Sequence, residues 1–338
     1  MTLILADSCG DTYAASQLVE AGWSASSVAA LVAGRVSGRA IQVSGTTIIT
    51  WTEASHLIPG NPTELTMMFA LQRYTVADSN EVNILTLDEG ATNHIQLAIT
   101  TGGLFRIKRN GTTLLTGATV MTTGVWYQIG LHVKIADAPS GEVHLYIDEV
   151  LEVSSTTLDT RNAGTPVLNS FTIRGGSNGI GYYFDDIHLW TGNDQKGNSR
   201  VIGCLPDATG NYSQWTPITG SDHDAMVDDP LTIDDDTTYI YNTTTGNRDS
   251  FTFPALSVPS TATILGMVGW VIARKQDVGT REVNVFSRVG GTDYDGTDQG
   301  ISLSYGKWSE LFQNNPATAA AWSQAALNAA ELGVKDGT

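Results

Sequence analysis

Cysteine is almost absent from this chain of 338 residues: only Cys9 and Cys204 occur. Two are too few for a disulfide framework. They flank the first half of the sequence, so one bridge between them stays open beside the simpler reading of two buried thiols. No C-x-x-C pair or Cys/His cluster points to zinc. Charge is scarce as well: Asp, Glu, Lys and Arg make up 16% of the residues, where about a quarter is usual. Positive charge is the scarcer sign, with 18 Lys and Arg against 35 Asp and Glu and a formal net charge of −17. No Lys/Arg stripe interrupts that acidity, so a nucleic-acid partner is excluded. No segment approaches the roughly 18 apolar residues of a membrane span, so membrane insertion is not expected. The start, MTLILADSC, has no basic region and a short apolar run, and Ser8 precedes Cys9. It is not read as a lipoprotein signal, and folding in a cytoplasm is expected.

Helical periodicity is nearly missing too. What the chain has instead is strands and turns. Ala40–Val43, Leu65–Leu71, Asn83–Leu87, Ile95–Ile99 and Leu104–Lys108 show the partial apolar/polar alternation of a sheet with one wet face. Asn110-Gly111 sits between two such runs, the dipeptide of a two-residue hairpin. Ile264–Arg274 and Arg281–Val289 read as a long strand pair. A weak helical segment is expected at Ser24–Leu31. The polar, Gly-rich stretch WTGNDQKGNS from Trp190 to Ser199 marks a boundary. The expectation is all-β: a sandwich over 1–192, a linker at 193–199 and a smaller β-rich domain over 200–338. That second domain ends in one helix at about 317–332, with Trp322 as its anchor and Gly333 as its C-terminal cap.

Three segments of the first half carry a resemblance: DSCGDTYAASQLVEAGW (Asp7 to Trp23), WYQIGLHVKIADAPSGEVHLYIDEVLEV from Trp126, and YYFDDIHLW (Tyr182–Trp190). In this order they resemble the concanavalin A-like lectin/glucanase superfamily, especially its laminin G-like jelly rolls. In that superfamily the middle segment is a hairpin closed by an Ile-Asp turn, here Ile147-Asp148-Glu149, with Gly usual where Glu149 stands. Further on, RVIGCLPDATGNYSQWTP (Arg200 to Pro217), Ser250–Phe253 and PATAAAWSQAALNAAELGVK resemble structural proteins of tailed bacteriophages. The resemblance implies a virion protein assembled in the host cytoplasm. Its place would be in capsid decoration or a tail or fibre, where it would contact other virion proteins as a symmetric homo-oligomer. The alternative it leaves open is an adhesin that binds a host-surface glycan.

Residue patterns argue against catalysis. Glycoside hydrolysis needs two carboxylates about 5 Å apart, or about 6.5–9.5 Å apart for inversion, and no E-x-D-x-E strand pattern exists here. Glu142, Asp148 and Glu149 read as a hairpin tip. There is no G-x-S-x-G elbow and no H-E-x-x-H, and the six histidines are scattered. No catalytic residue is assigned and no enzyme is expected. Asp185 and Asp186 are neighbours on a strand, so one is expected to face inward onto backbone N–H groups and the other to face solvent. A calcium ion on this pair stays open. The acidic run from Asp222 to Asp236, seven carboxylates in fifteen residues, lacks EF-hand spacing and reads as a wet loop. Tyr182, Tyr183, Trp190, Tyr212 and Trp215 cluster in sequence around the boundary. They read either as an inter-domain core or as a surface on which sugar rings stack.

Overall fold

The computed structural model describes residues 2–9, 23–25, 30–36, 38–45, 48–51, 58, 60–75, 80–176, 181–193, 195–229 and 233–337. Most of the opening segment that contributed to the resemblance (10–22), part of a glycine-rich stretch (177–180) and part of the acidic run (230–232) lie outside the described residues. The chain divides into two compact units, the second beginning at Cys204.

The first unit is built of β1 (Leu3–Asp7), β2 (Trp23–Ala25), β3 (Ala30–Ala33), β4 (Arg39–Ser44), β5 (Ile48–Trp51), β6 (Glu64–Arg73), β7 (Val82–Glu89), β8 (Thr92–Ile99), β9 (Leu104–Arg109), β10 (Thr112–Val120), β11 (Trp126–Lys134), β12 (Gly141–Ile147), β13 (Val150–Leu158), β14 (Ser170–Arg174) and β15 (Gly181–Thr191). Two antiparallel sheets result. One has eight strands in the order β13-β12-β11-β6-β15-β4-β3, with β1 on β15; the other has seven, β10-β9-β8-β7-β14-β5-β2. Alternation fixes which side is inside. In β12, Val143, Leu145 and Ile147 are buried while Glu142, His144 and Tyr146 are half-buried on the other face. Register carries the inner set across the sheet as Leu131 beside Leu145 and Met67, and Ile129 beside Ile147 and Phe69. Phe105 of the seven-stranded sheet meets Tyr127 of the eight-stranded one edge to face, with ring centroids 6.3 Å apart.

The hairpin turns follow local chemistry. Asn110 and Gly111 have φ of 41° and 86°, the pair of positive values a type I′ turn demands. Asp148 and Glu149 (φ 48° and 69°) build the same turn between β12 and β13. A glutamate in this region is strained, and its side chain is engaged elsewhere, as described below.

The second unit contains β16 (Ala208–Ser213), β17 (Thr216–Pro217), β18 (Ile240–Tyr241), β19 (Arg248–Thr252), β20 (Met267–Ala273), β21 (Glu282–Val289), β22 (Thr292–Asp295), β23 (Gln299–Gly300), β24 (Gly306–Phe312), α1 (Gln324–Asn328) and β25 (Glu331–Asp336). A six-stranded sheet runs β16-β19-β25-β21-β22 with β23 on β21, and β17-β18 and β20-β24 form two further pairs. Val283, Trp308 and Val334 centre one core cluster and Phe312, Trp322 and Ala330 another.

Four expectations need correction. The C-terminal helix is one short turn, Gln324–Asn328, capped by the Ser323 hydroxyl, which accepts from the Ala326 N–H at 3.1 Å. The residues after it form β25, because the slot between β19 and β21 is completed by pairing there, and that tertiary demand overrides helix propensity. Trp322 is an anchor nonetheless: it is buried and donates its indole N–H to the Phe312 carbonyl at 2.8 Å. Second, β20 pairs with β24, not with β21. Third, the described parts of Ser24–Leu31 are strand, at the ends of β2 and β3. Fourth, no disulfide joins the two cysteines: Cys9 is buried and Cys204 exposed, where two buried thiols were expected.

Gly333 lies mid-strand in β25, and a Cβ there would collide with the Asp249 carbonyl and the Phe286 ring. Gly333→Ala is therefore expected to destabilise the second unit by about 1–3 kcal/mol through overpacking. Urea unfolding followed by tryptophan fluorescence checks this; an unchanged midpoint would contradict the tight approach.

Candidate functional site

The outer face of the eight-stranded sheet departs from what a solvated sheet should look like. β6, β11 and β15 are buried on both faces over most of their length. The cause is the segment 193–201, which lies across the outer face rather than away from it. Ser199 Oγ meets His188 Nε2 at 2.6 Å. The Lys196 ammonium sits 4.3 Å from the centre of the Trp190 ring, and the Asn198 N–H donates to Glu149 Oε1 at 2.6 Å. Gln195 rests on Gly130, where any side chain would clash with its amide. The stretch that reads as a linker is thus a strap.

One arginine fastens the strap. Arg35 donates through Nε and NH2 to Asp186 Oδ2 (3.0 and 2.8 Å), through NH1 to Gln128 Oε1 (2.8 Å) and Asn198 Oδ1 (2.6 Å), and through NH2 to the Ser199 carbonyl (2.6 Å). Its backbone N–H donates to Asp185 Oδ2 at 2.7 Å. Such a planar fork suits arginine and not lysine. Asp186 also accepts the Val201 N–H at 2.8 Å. Burial nevertheless pushes its carboxyl above the ordinary aspartate value, outweighing Val201 and Arg35. The ion pair therefore specifies geometry more than it adds stability.

Register orders the outer face into rows. The first crosses β4, β15, β6 and β11 as Gln42, Tyr183, Gln72 and Trp126. Tyr74 stacks on Tyr183 with centroids 4.4 Å apart, and Trp126 lies 6.2 Å from the same ring. Tyr183, Tyr74 and Trp126 are all half-buried. Two residues along, about 7 Å at strand rise, come Asp185, Ala70 and Gln128. Another step brings His188, Met68, Gly130 and Tyr146, and a further one His132 and His144.

Between the second and third rows lies a cavity of about 170 Å³ lined by Met68, Gln128, Gly130, Tyr146, Glu149, Gln195 and Gly197. Arg35 fixes the Gln128 amide by taking its oxygen, so the nitrogen is the atom left over. Nε2 of Gln128 and Nε2 of Gln195 are buried and have no hydrogen-bond partner; neither do His132 Nδ1 and His144 Nε2 in the adjoining row. An unmet buried donor costs about 1–3 kcal/mol, so the two glutamine nitrogens are the atoms open to an acceptor, whether water or a ligand.

The residues singled out from sequence are placed as follows. Tyr183 is on the aromatic row. Tyr182 points into the sandwich interior and is 1% exposed. Trp190 is on the outer face but sealed under Lys196, and it donates its indole N–H to His188 Nδ1 at 2.7 Å. Tyr212 and Trp215 belong to the second unit. Tyr212 donates to Asp293 Oδ2 at 2.8 Å, and Trp215 donates its indole N–H to the Asn247 carbonyl at 3.1 Å. Asp185 and Asp186 are both buried, which corrects the expectation that one faces solvent: Asp186 adopts φ 53° in a bulge, so alternation fails there. Their oxygens hold Arg35, the Asp186 N–H and the Val201 N–H. Among the described residues no group of three or more His, Cys, Asp or Glu side chains is placed to hold a metal ion. In the acidic run, Asp229 and Asp234 accept from Thr238, and Asp236 pairs with Arg274.

Sequence reasoning missed Arg35, Gln128, Gln195 and Trp126. Parity within WYQIGLHVK puts Trp126, Gln128, Gly130 and His132 on one face, a signal present in the sequence. Nothing local pairs Arg35 with residues 198–199.

His188 gives a pH test. Its Nδ1 accepts the Trp190 indole hydrogen, so the neutral ring carries its proton on Nε2. Burial, helped by Lys196 and Arg35, lowers its pKa to about 3. A depressed histidine favours the fold above the ordinary value and withdraws that support as pH falls, because the unfolded chain takes the proton first. From pH 6.5 to 5 the protein should lose up to about 1.4 kcal/mol per pH unit, and His188→Gln should flatten that slope. Equal slopes in both proteins would contradict the neutral, sealed imidazole.

No family model matches the chain, and no curated protein matches it. Among solved structures about half of the chain is similar in fold to several proteins. The endo-β-1,4-glucuronan lyase of the fungus Trichoderma reesei is 14% identical, with 52% of this chain and 91% of that one covered and a TM-score of 0.39. The cellulose-induced protein Cip1 is 11% identical over 51% and 89%, with a TM-score of 0.38. The alginate lyase Aly36B is 14% identical over 46% and 82%, with a TM-score of 0.34. The likeness is one of fold and assigns no activity to this chain. It does correct the expectation that the protein is not an enzyme, since two of the three are polysaccharide lyases. The jelly-roll-like β-sandwich is the part of the resemblance that the structure supports.

Proposed function

We propose that the protein binds saccharide chains across the outer face of its eight-stranded sheet. One observation carries this reading. A half-buried aromatic pair, Tyr183 and Trp126, flanked by the amides of Gln42 and Gln72, shares a face with a cavity where two glutamine N–H donors lack partners. Aromatic faces stack the apolar side of a sugar ring, and hydroxyl oxygens accept from amides. Aromatic row and cavity are about 7–14 Å apart along the strands, so the ligand is a chain rather than a single ring. The virion setting, other virion proteins as partners and a homo-oligomer rest on the sequence resemblance alone.

A glycan array with the full-length protein should return a defined oligosaccharide family. Trp126→Ala and Tyr183→Ala should each weaken that binding about tenfold, equivalent to about 1.4 kcal/mol, with near-ultraviolet circular dichroism unchanged. Incubating the same oligosaccharides with the protein and separating the products reads turnover directly. Absence of any bound glycan, or binding indifferent to both substitutions, would overturn the proposal.

A further inference from the structure

The opposite side of the sandwich carries a groove with a different construction. It has a volume of about 650 Å³ and is lined by Thr50, Asp88, Asn93, Asn169, Thr172 and Arg174, among others. That volume is within the range of about 300–1,000 Å³ typical of small-molecule sites. We propose that this groove, on the outer face of the seven-stranded sheet, is a second binding site, for one neutral saccharide ring. The site is separate from the face described above; only the class of ligand rests on the same reading.

The floor is flat and short. Thr50 pairs with Thr172 and Thr172 with Thr86 in one register row, and Ser170 lies beside Asp88 in the next. A solvated sheet face usually carries long charged side chains; hydroxyls here let a ring approach the strands closely. Asp88 is only 4% exposed although it sits on an outer face. It accepts from Thr86 Oγ1 at 2.9 Å and from Asn93 Nδ2 at 2.7 Å. Burial raises its pKa, with those bonds and Arg174 opposing.

The rim supplies both kinds of hydrogen-bonding group. Asn93 spends its nitrogen on Asp88, so its oxygen is the acceptor that remains. Asn169 Oδ1 accepts the Gly90 N–H at 2.8 Å, so its nitrogen is the donor that remains. Arg174 Nε is buried with no hydrogen-bond partner. Two donors and an acceptor around a hydroxyl-lined floor match a ligand whose groups both give and take hydrogen bonds. Asp88 and Arg174 carry opposite charges that offset each other, so the groove holds no net charge to select an ion. A neutral polyhydroxyl ring fits that balance. With sites on opposite outer faces, one sandwich bridges two glycan strands, which raises avidity without any new contact.

The test is nuclear magnetic resonance on isotope-labelled full-length protein with cellotetraose, mannotetraose, chitotetraose and, as the anionic control, trigalacturonate. A neutral probe should move the Arg174 Nε–H signal and the Asn93 and Asn169 amides. Arg174→Met should weaken that response about tenfold while leaving shifts at Trp126 and Gln128 intact; Asn93→Leu, which removes the acceptor oxygen at similar size, should weaken it too. Shifts at Trp126 and Gln128 with none at Arg174 would overturn the second groove and leave the first face standing. Shifts at Arg174 alone would do the reverse, and no shift at either would sink both. A response to trigalacturonate only would overturn the neutral-ring assignment.

Discussion

The guanidinium of Arg35 is the contact on which the outer face of the eight-stranded sheet depends. It joins three things that are far apart in sequence: the bulge at Asp185 and Asp186, the amide of Gln128 and the strap at Asn198 and Ser199. Each has a consequence. Holding the bulge keeps two carboxylates buried together. Holding the strap seals His188 and Trp190 away from water. Orienting Gln128, which lines the cavity, leaves its amide nitrogen as the unpartnered atom. A buried charge that lost this partner would be costly, on the order of 3–5 kcal/mol, so the three features stand or fall together.

Glycine and glutamate complete the arrangement at opposite ends of the strap. Gly130 leaves room for Gln195 to lie flat on the sheet. Glu149 accepts backbone strain at φ 69° and in return receives the Asn198 N–H. The usual glycine would relieve that strain and lose this tether. The result is a sandwich whose eight-stranded sheet is buried and polar over much of its outer face.

Much of this was legible in the sequence, and the failures have physical causes. Alternation located β6, β7, β8 and β9 to within a few residues, and Asn110-Gly111 located a hairpin, because both signals are local. The bulge at Asp186 defeated alternation, since one extra residue reverses every side chain beyond it. The segment 317–332 has a helical composition, yet its last part completes a sheet, because pairing between β19 and β21 outweighs propensity. The strand partner of β20 lies beyond a whole intervening hairpin, where no local rule reaches. Of the five aromatic residues chosen, Tyr183 joins the candidate site; parity alone sends its neighbour Tyr182 inward. The strap looked like a linker because its contacts are with residues 35, 144, 149 and 188. Absent carboxylate patterns suggested a protein that breaks no bonds, but that spacing tests glycoside hydrolysis alone, and the similar solved structures include lyases.

The central claim is that Arg35 shapes a sugar-accepting surface by aiming the Gln128 amide. The most direct measurement is the side-chain amide spectrum of Gln128 and Gln195 in the native protein and in Arg35→Lys, with and without a bound oligosaccharide. The account predicts that sugar shifts both amides in the native protein, and that Arg35→Lys abolishes those shifts while the methyl spectrum of the sandwich core is retained. Sugar-induced shifts that persist unchanged in Arg35→Lys, or amides that ignore a bound sugar, would contradict it.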